Sequence, residues 1–496
     1  MSMINVSNLT FAYEGSYDNI FANVSFQIDT DWKLGFCGRN GRGKTTFLKL
    51  LMGAYEYSGS ISASVDFEYF PYPVSDTSRS TIDILVQIAP EAQMWEIRKE
   101  TSKLDVVEDA LYRPFFTLSN GEQTKVLLAG LFLRENSFLL IDEPTNHLDM
   151  AARKIVSNYL NEKTGYILVS HDRMFLDDCI DHILSINKEN IEIQKGNFAA
   201  WWEHKERQDA FELAQNERLE HEIGRLKVSA ERTARWSDIV EKSKKQPQKS
   251  GLSADKGYIG HKAAKMMKRS MSTEKRRNNA VEVKSKLLKN IETADELKIH
   301  PLSHHTKQFA WLDSITIAYD GKEIIKDFSL SLSEGDRLAL LGSNGSGKSS
   351  VLKLLCGEDI PHTGAVNISS QLIISYVPQD ASFLAGDLSA YAEQHNIDEP
   401  LFKAILRKLD FTRVQFEKDI ADFSAGQKKK VLLARSLCEQ AHLYIWDEPL
   451  NYIDVLSRMQ IEELIAKYKP TMLFVEHDRA FVHKVATKNV ELSRAL

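Results

Sequence analysis

One series of short motifs runs through this chain twice, in one order, and that doubling limits the fold more than any other feature. "FAYEG" around Tyr13 returns as "IAYDG" around Tyr319, and "GRNGRGKTT" from Gly38 returns as "GSNGSGKSS" from Gly342. "LSNGEQTKVLLA" around Ser119 pairs with "FSAGQKKKVLLA" around Ser424, "FLLIDEPTNHLD" with "LYIWDEPLNYID", and "LVSHDRMF" with "FVEHDRAF". The separations barely drift: 304 between Lys44 and Lys348, 305 between Asp142 and Asp447, 306 between His171 and His477. Such a pattern means a tandem duplication. Residues 1–200 and 306–496 read as two copies of one domain, with residues 201–305 between them.

Within each copy, short apolar runs alternate with helical patterns. "WKLGFCG" and "DRLALLG" are strand-like and lead into Gly-rich turns. "KTTFLKLLMG" and "KSSVLKLLCG" read as helices closed by Gly53 and Gly357. "SFLLID", "HLYIWD", "GYILVS" and "TMLFVE" read as buried strands. The expected class is α/β: two tandem P-loop domains, each a mainly parallel sheet covered by helices, joined by a long α-helical hairpin. Ligands of such sheets sit at the carboxyl ends of the strands.

The Gly-rich turns carry phosphate chemistry, because both fit G-x-x-x-x-G-K-[ST]. Gly38, Arg39, Asn40, Gly41, Arg42 and Gly43 in one copy offer backbone N–H groups to phosphate oxygens. Gly342, Ser343, Asn344, Gly345, Ser346 and Gly347 do the same in the other. Lys44 and Lys348 reach the β- and γ-phosphates, and Thr45 and Ser349 place a hydroxyl on Mg²⁺, with Thr46 and Ser350 beside them. ATP and Mg²⁺ are therefore the expected cofactors. Asp142 and Asp447 end apolar strands and should orient the Mg²⁺ shell. Glu143 and Glu448 are placed to take a proton from attacking water. His171 and His477 end further strands, within reach of a γ-phosphate.

Ser119-Asn-Gly and Ser424-Ala-Gly each open a long helix and resemble the signature sequence of ATP-binding cassette (ABC) proteins. With the other blocks, the resemblance covers both halves. It implies two cassettes facing head to tail, with each ATP between one phosphate loop and the other cassette's signature. Lys44, Asp142, Glu143 and His171 would then share a site with Ser424 and Gly426. Lys348, Asp447, Glu448 and His477 would share one with Ser119 and Gly121. Tyr13 and Tyr319 match the aromatic that stacks on adenine, and Asp149 and Asp454 the acid that couples the sites. Gln379 in "ISYVPQ" resembles the family's glutamine that touches Mg²⁺ and water; its counterpart in "FEYFPY" is Tyr72. A tyrosine cannot reproduce an amide's contacts, so the first site either turns over more slowly or tolerates the change.

Between the copies the charge changes sign. The chain carries −6, yet residues 241–290 hold 15 Lys and Arg against 4 Asp and Glu, so this segment is +11 and the remainder −17. A basic segment on an acidic body fits a local polyanion contact; a solvated Lys-rich linker is the alternative. Leu219, Ile223, Leu226, Ala230 and Ala234 form one helical stripe; Ala280, Val283, Leu287 and Ile291 form another. Pro247, Gly251, Gly257 and Gly260 break helices, so an irregular basic tip near 240–270 is expected. Cys37, Cys179, Cys356 and Cys438 lack metal-ligand spacing, and no secretory signal or membrane-length apolar run occurs. A cytoplasmic protein with reduced thiols is the expectation.

Two cassettes with a charged helical linker resemble the ABC-F group, which acts in translation. The tandem ATPase subunit of an importer and a DNA-repair ATPase are the other candidates. "DEPTNHLD", "DEPLNYID" and "GYIGHKAAKMMKRS" resemble the Lsa and Vga type of antibiotic-resistance proteins. That resemblance implies a ribosomal partner near the exit site, a linker reaching the peptidyl-transferase centre and the P-site tRNA, and no membrane subunit. It implies displacement of lincosamides, pleuromutilins and streptogramin A, by a monomer whose cassettes pair internally. A housekeeping translation role stays open. For the linker, Trp236 and Tyr258 are candidates to stack on bases. Lys256, His261, Lys262, Lys265, Lys268 and Arg269 are candidates to meet RNA phosphates.

Overall fold

A computed structural model describes residues 2–14, 19–187, 191–243, 256–286, 297–319 and 321–492. Runs such as Phe138–Ile141 and Leu473–Val475 are apolar throughout and almost wholly buried, which suits strands covered on both faces. In the first copy they build a six-stranded sheet. Its order is Asp66–Phe70, Ser137–Asp142, Tyr166–Val169, Lys33–Cys37, His182–Ile186 and Ile191–Lys195. All pairs are parallel except the last. The second copy repeats the order without that edge strand: Ile374–Val377, Leu443–Asp447, Met472–Val475, Arg337–Leu341 and Lys488–Glu491, all parallel. A three-stranded antiparallel sheet flanks each, Phe21–Asp29, Met3–Phe11 and Ser58–Ser62 in one, Lys322–Ser333, Gln308–Tyr319 and His362–Ile368 in the other.

Register places the chemistry. Asp142 pairs with Val169, and Asp447 with Val475, at the carboxyl ends of their ladders. The turns after Cys37 and Leu341 open at the same edge, each leading into a helix, Lys44–Leu51 or Lys348–Leu355. Both copies lie in one compact unit, Met1–Ile186, Asn190–Ala199 and Ala294–Leu496.

The second unit, centred on Ala200–Thr293, is helical. Phe198–Ser243 runs for 46 residues and Lys256–Lys286 for 31. On the first, Glu212, Asn216, Leu219, Ile223 and Leu226 form a half-buried row at spacings of 4 and 3. On the second, Met266, Ser270, Thr273, Arg277 and Ala280 form a covered row with the same spacing. Each row is one face of a helix; Leu219, Ile223 and Leu226 of the first expected stripe and Ala280 of the second lie on these rows. Leu287 and Ile291 lie outside the described residues, as do Pro247, Gly251 and the side chains of Ala230, Ala234, Val283, Lys256, Tyr258 and Lys262.

The expected irregular tip is shorter than the sequence suggests. Gly257 and Gly260 do not break the chain there; both lie in the opening turns of the helix Lys256–Lys286. A helical glycine costs only about 1 kcal/mol relative to alanine, and the Lys, Ala and Met that follow are good helix formers.

One glycine of each flanking sheet is obligatory. Gly59 and Gly364 have φ of 104° and 100°, and a Cβ would lie 2.5 Å from the carbonyl oxygens of Asn8 and Ser314 respectively. The substitution Gly364→Ala, outside the phosphate loops, should destabilise the fold by about 1–3 kcal/mol. A lowered midpoint in urea unfolding, with an unchanged slope, checks this.

Candidate functional site

Both phosphate loops close on themselves. Lys44 Nζ donates to the carbonyls of Gly38 and Arg39 at 2.6 and 3.2 Å. Lys348 Nζ does so to Gly342 and Ser343 at 3.0 and 2.9 Å. Gly43 and Gly347 both have φ of 93°, and a Cβ on them would meet Ile20 at 2.5 Å or Ile325 at 2.7 Å. The loops therefore pack tightly below and turn their N–H groups toward the helix start. Tyr13 and Tyr319 are tied to the same turns, their hydroxyls bonded to Thr46 Oγ1 at 2.8 Å and Ser350 Oγ at 3.0 Å. Both rings remain partly exposed, so a face is left for a planar base.

The acids sit where the ladders end. Asp142 Oδ2 accepts from Thr45 Oγ1 and from the Tyr69 hydroxyl, each at 2.9 Å. Glu143 and Glu448 have φ of 52° and 47°. Left-handed backbone at a glutamate costs on the order of 1–3 kcal/mol and persists only where surroundings impose it. The strain recurs in both copies and aims each carboxylate back at a histidine. His171 Nε2 lies 3.2 Å from Glu143 Oε1, and His477 Nε2 lies 3.3 Å from Glu448 Oε1.

Their surroundings shift the two glutamates in opposite directions. Burial, then the adjacent Asp142, pushes Glu143 up to about 8, against the pull of Lys44 and Arg458. Burial also opposes Glu448, but His477, Gln379 and Lys348 together outweigh it and hold Glu448 at about 2. Gln379 thus acts beside Glu448. Burial raises Asp447 to about 6. His171 is driven well below its usual value, by burial first and then by Lys44 and Arg458.

The first site is composite. A cavity of about 830 Å³ is walled by the first phosphate loop, Tyr13, Asp142, Glu143 and His171, and across from them by Ser424 to Gln427, Lys430 and Tyr452. Its size suits a cofactor or drug-sized ligand. Ser424 caps the helix Ala425–Cys438 in a box with Gln427, so that helix presents its positive end to the cavity. Ser119 caps Asn120–Leu131 in a matching box with Glu122, and Gly121 lies in its first turn; the hydrogen bonds of Ser119 stay within that cap. The charge of Asp149 pulls upward on Lys348 in the second phosphate loop. Asp454 does the same to Lys44. Each acid therefore acts electrostatically on the opposite copy's lysine.

Closure rests on contacts that no motif announced. Asn40 Nδ2 donates to the Tyr452 carbonyl at 2.9 Å, Arg153 Nη1 to the His477 carbonyl at 3.1 Å, and Arg479 Nη2 to the Met150 carbonyl at 3.0 Å. Ion pairs Arg39–Asp410 and Arg173–Glu462 span the same boundary. Lys430 is buried and lies 3.5 Å from the fully buried Asp454. Its one sequence signal is the lysine inside "KVLLA" in both copies, Lys125 and Lys430. In the linker, Trp236 is exposed, with the Arg232 guanidinium 5.8 Å from its ring centre.

Lys430→Met should leave Asp454 buried without its neighbouring cation and held only by the two Ser457 hydrogen bonds, at a cost of about 3 kcal/mol. Chemical denaturation should show that loss, and ATPase assays a matching fall in turnover.

The sequence matches the ABC transporter family over residues 21–146 and 325–451. It is 27% identical to the ribosome protection protein VmlR of Bacillus subtilis (strain 168), covering 97% of this chain and 85% of that protein. It is 28% identical to the ATP-binding protein Uup of Buchnera aphidicola subsp. Acyrthosiphon pisum (strain APS), covering 98% of this chain and 80% of Uup. The fold is similar to that of the archaeal ribosome recycling factor aABCE1, solved in complex with the ribosomal stalk protein aP1. The TM-score is 0.62 at 18% identity, over 98% of this chain and 87% of that one. The family match spans just over half of the chain and takes in both phosphate loops and both acidic strand ends; the chain belongs to the ABC transporter family, as a tandem ATPase of the ABC-F type.

Proposed function

We propose that this ATPase works on the ribosome, and that its helical linker delivers the effect. The reading takes residues 1–200 and 306–496 as the nucleotide-binding domains and residues 201–305 as the linker. The observation that carries it is the cation face of the helix Lys256–Lys286, where His261, Lys265, Lys268 and Arg269 are all exposed. Such a face suits phosphates of RNA. The similarity to a ribosome protection protein over nearly the whole chain supports the same partner. No described helix is long and apolar enough to cross a membrane, and the reading places the protein in the cytoplasm as a monomer.

ATP would seat its phosphates on the two loops and its base on Tyr13 or Tyr319. Water attacks the γ-phosphorus in line, and the strand-end glutamate receives its proton. Lys44 or Lys348 and the facing signature helix stabilise charge on the transferring group. His171 and His477 hold the γ-phosphate end. No cluster of three or more acidic, His or Cys side chains able to hold a metal occurs among the described residues. The residues nevertheless fit Mg²⁺ carried in with nucleotide. Both Asp447 oxygens are buried without a hydrogen-bond partner, and Thr45 sits against Asp142. Thr45 and Asp142, or Ser349, Gln379 and Asp447, would hold the ion directly or through water. Bound there, Mg²⁺ neutralises phosphate charge.

ATP binding closes the cassettes and sets the linker in its ribosome-bound pose; hydrolysis releases it. The linker then perturbs the P-site tRNA and rRNA near the exit site, so that lincosamides, pleuromutilins and streptogramin A leave the peptidyl-transferase centre. Glu143→Gln with Glu448→Gln should bind ATP without hydrolysing it and co-sediment with ribosomes. Finding that protein in the ribosome-free fraction defeats the reading, and co-purification with a membrane permease favours an importer instead. Lys265→Gln, Lys268→Gln and Arg269→Gln together should flatten the dependence of log affinity on log salt by about 2. Growth of a susceptible host across the three drug classes, with and without the protein, separates resistance from a housekeeping role.

A further inference from the structure

The two nucleotide positions are built unequally, although one duplication produced both. In the first, Asp142 Oδ2 is taken by two protein donors, Thr45 Oγ1 and the Tyr69 hydroxyl, each at 2.9 Å. The carboxylate oxygens of Glu143 beside it are buried without a hydrogen bond of normal geometry, and its histidine neighbour at 3.2 Å matches the one beside Glu448 at 3.3 Å. Tyr72 stands where the second copy has Gln379. In the second position the pattern inverts. Neither Asp447 oxygen makes a hydrogen bond of normal geometry, although the Ser349 hydroxyl is near enough to pull its pKa down, and the buried hydroxyl of Tyr376, the counterpart of Tyr69, has no partner. Glu448 is the group that is held, with Asn451 Nδ2 donating to its Oε2 at 2.7 Å. One position thus has a metal-side carboxylate held by an extra tyrosine hydroxyl and a base without an amide anchor. The other has a less encumbered carboxylate and an amide-anchored base.

The boundary differs in the same sense. Arg39, in the first phosphate loop and almost fully buried, pairs with Asp410 on the wall of the first cavity. The equivalent residues for the second position are Ser343 and Asp105, and a serine cannot make an ion pair. A charge-assisted bond shielded from water is stronger than an exposed one, so the first position carries a latch that the second lacks.

We propose that the first position keeps its ATP through repeated turnovers of the second, with Arg39 and Asp410 as the positioning pair that holds it shut. The proposal rests on the reading of both positions as composite ATP sites. Turnover then occurs at the second: a water oxygen bonds the γ-phosphorus as the bond to the β-bridging oxygen breaks, Glu448 takes the proton, and ADP and phosphate leave.

The test loads the full chain with ATP labelled in both base and γ-phosphate, with Mg²⁺, and counts nucleotide after desalting. Expected is one intact ATP per chain, outlasting a catalytic turnover by about tenfold or more. Arg39→Ser should shorten that retention by about tenfold, and so should Asp410→Arg. The charge-swapped double variant, Arg39→Asp with Asp410→Arg, should restore it, a rescue that general damage to the fold would not give. Retention of no ATP or of two, hydrolysis of both at one rate, or an unchanged lifetime in Arg39→Ser overturns the proposal. Equal hydrolysis at both positions with intact ribosome binding defeats this inference alone. Absence of ribosome binding with one ATP retained defeats the ribosome reading alone. Absence of any hydrolysis defeats both.

Discussion

The hydrogen bond from Asn40 to the Tyr452 carbonyl joins a phosphate loop to the far copy, and the rest of the chemistry depends on that joint. Neither copy carries a whole site. The first loop supplies the phosphate cradle and the strand-end acids, while the second copy supplies the helix end at Ser424 and the buried Asp454. Separating the copies would take Lys44 away from the field of Asp454 and open the cavity to water, and each electrostatic contact within it would weaken. Contact between the copies therefore completes the site.

Inside each copy, the parallel sheet sets where strain can be borne. Strands buried on both faces, such as Phe138–Ile141 and Tyr444–Trp446, form a stiff edge. A glutamate directly after that edge can be held left-handed without the segment relaxing. The same φ at Glu143 and Glu448 shows that this is a property of the domain and not an accident of one copy. The copies diverge one shell out, at Tyr69 against Tyr376 and Tyr72 against Gln379. Similar backbones thus give carboxylates with opposite hydrogen-bonding states.

Much of this was legible in the chain itself. The phosphate loops, the acidic strand ends and the pairing of copies follow from spaced motifs, because glycine, lysine and acid at those spacings have few other uses. Arg39 was legible only as a loop residue offering its N–H; its side chain bonds across 371 positions of sequence, a distance no local pattern encodes. Arg153, Arg173 and Arg479 escaped for the same reason. Gly257 and Gly260 misled in the opposite direction, since a glycine marks a helix break only where neighbours do not favour the helix. The Tyr72 departure was visible, but its consequence depends on the hydroxyl of Tyr69, which turns toward Asp142 only in the folded chain.

The linker helices carry one more consequence. Their covered rows contain Asn216, Ser270, Thr273 and Arg277 among the apolar residues. Polar seams choose a register without forming a deep hydrophobic well. Two helices packed along such rows would behave mechanically as a compliant spring, with rods that shear past each other at small cost. Its working shape would be set by the surface that loads it, and one sequence could then conform to walls of slightly different contour.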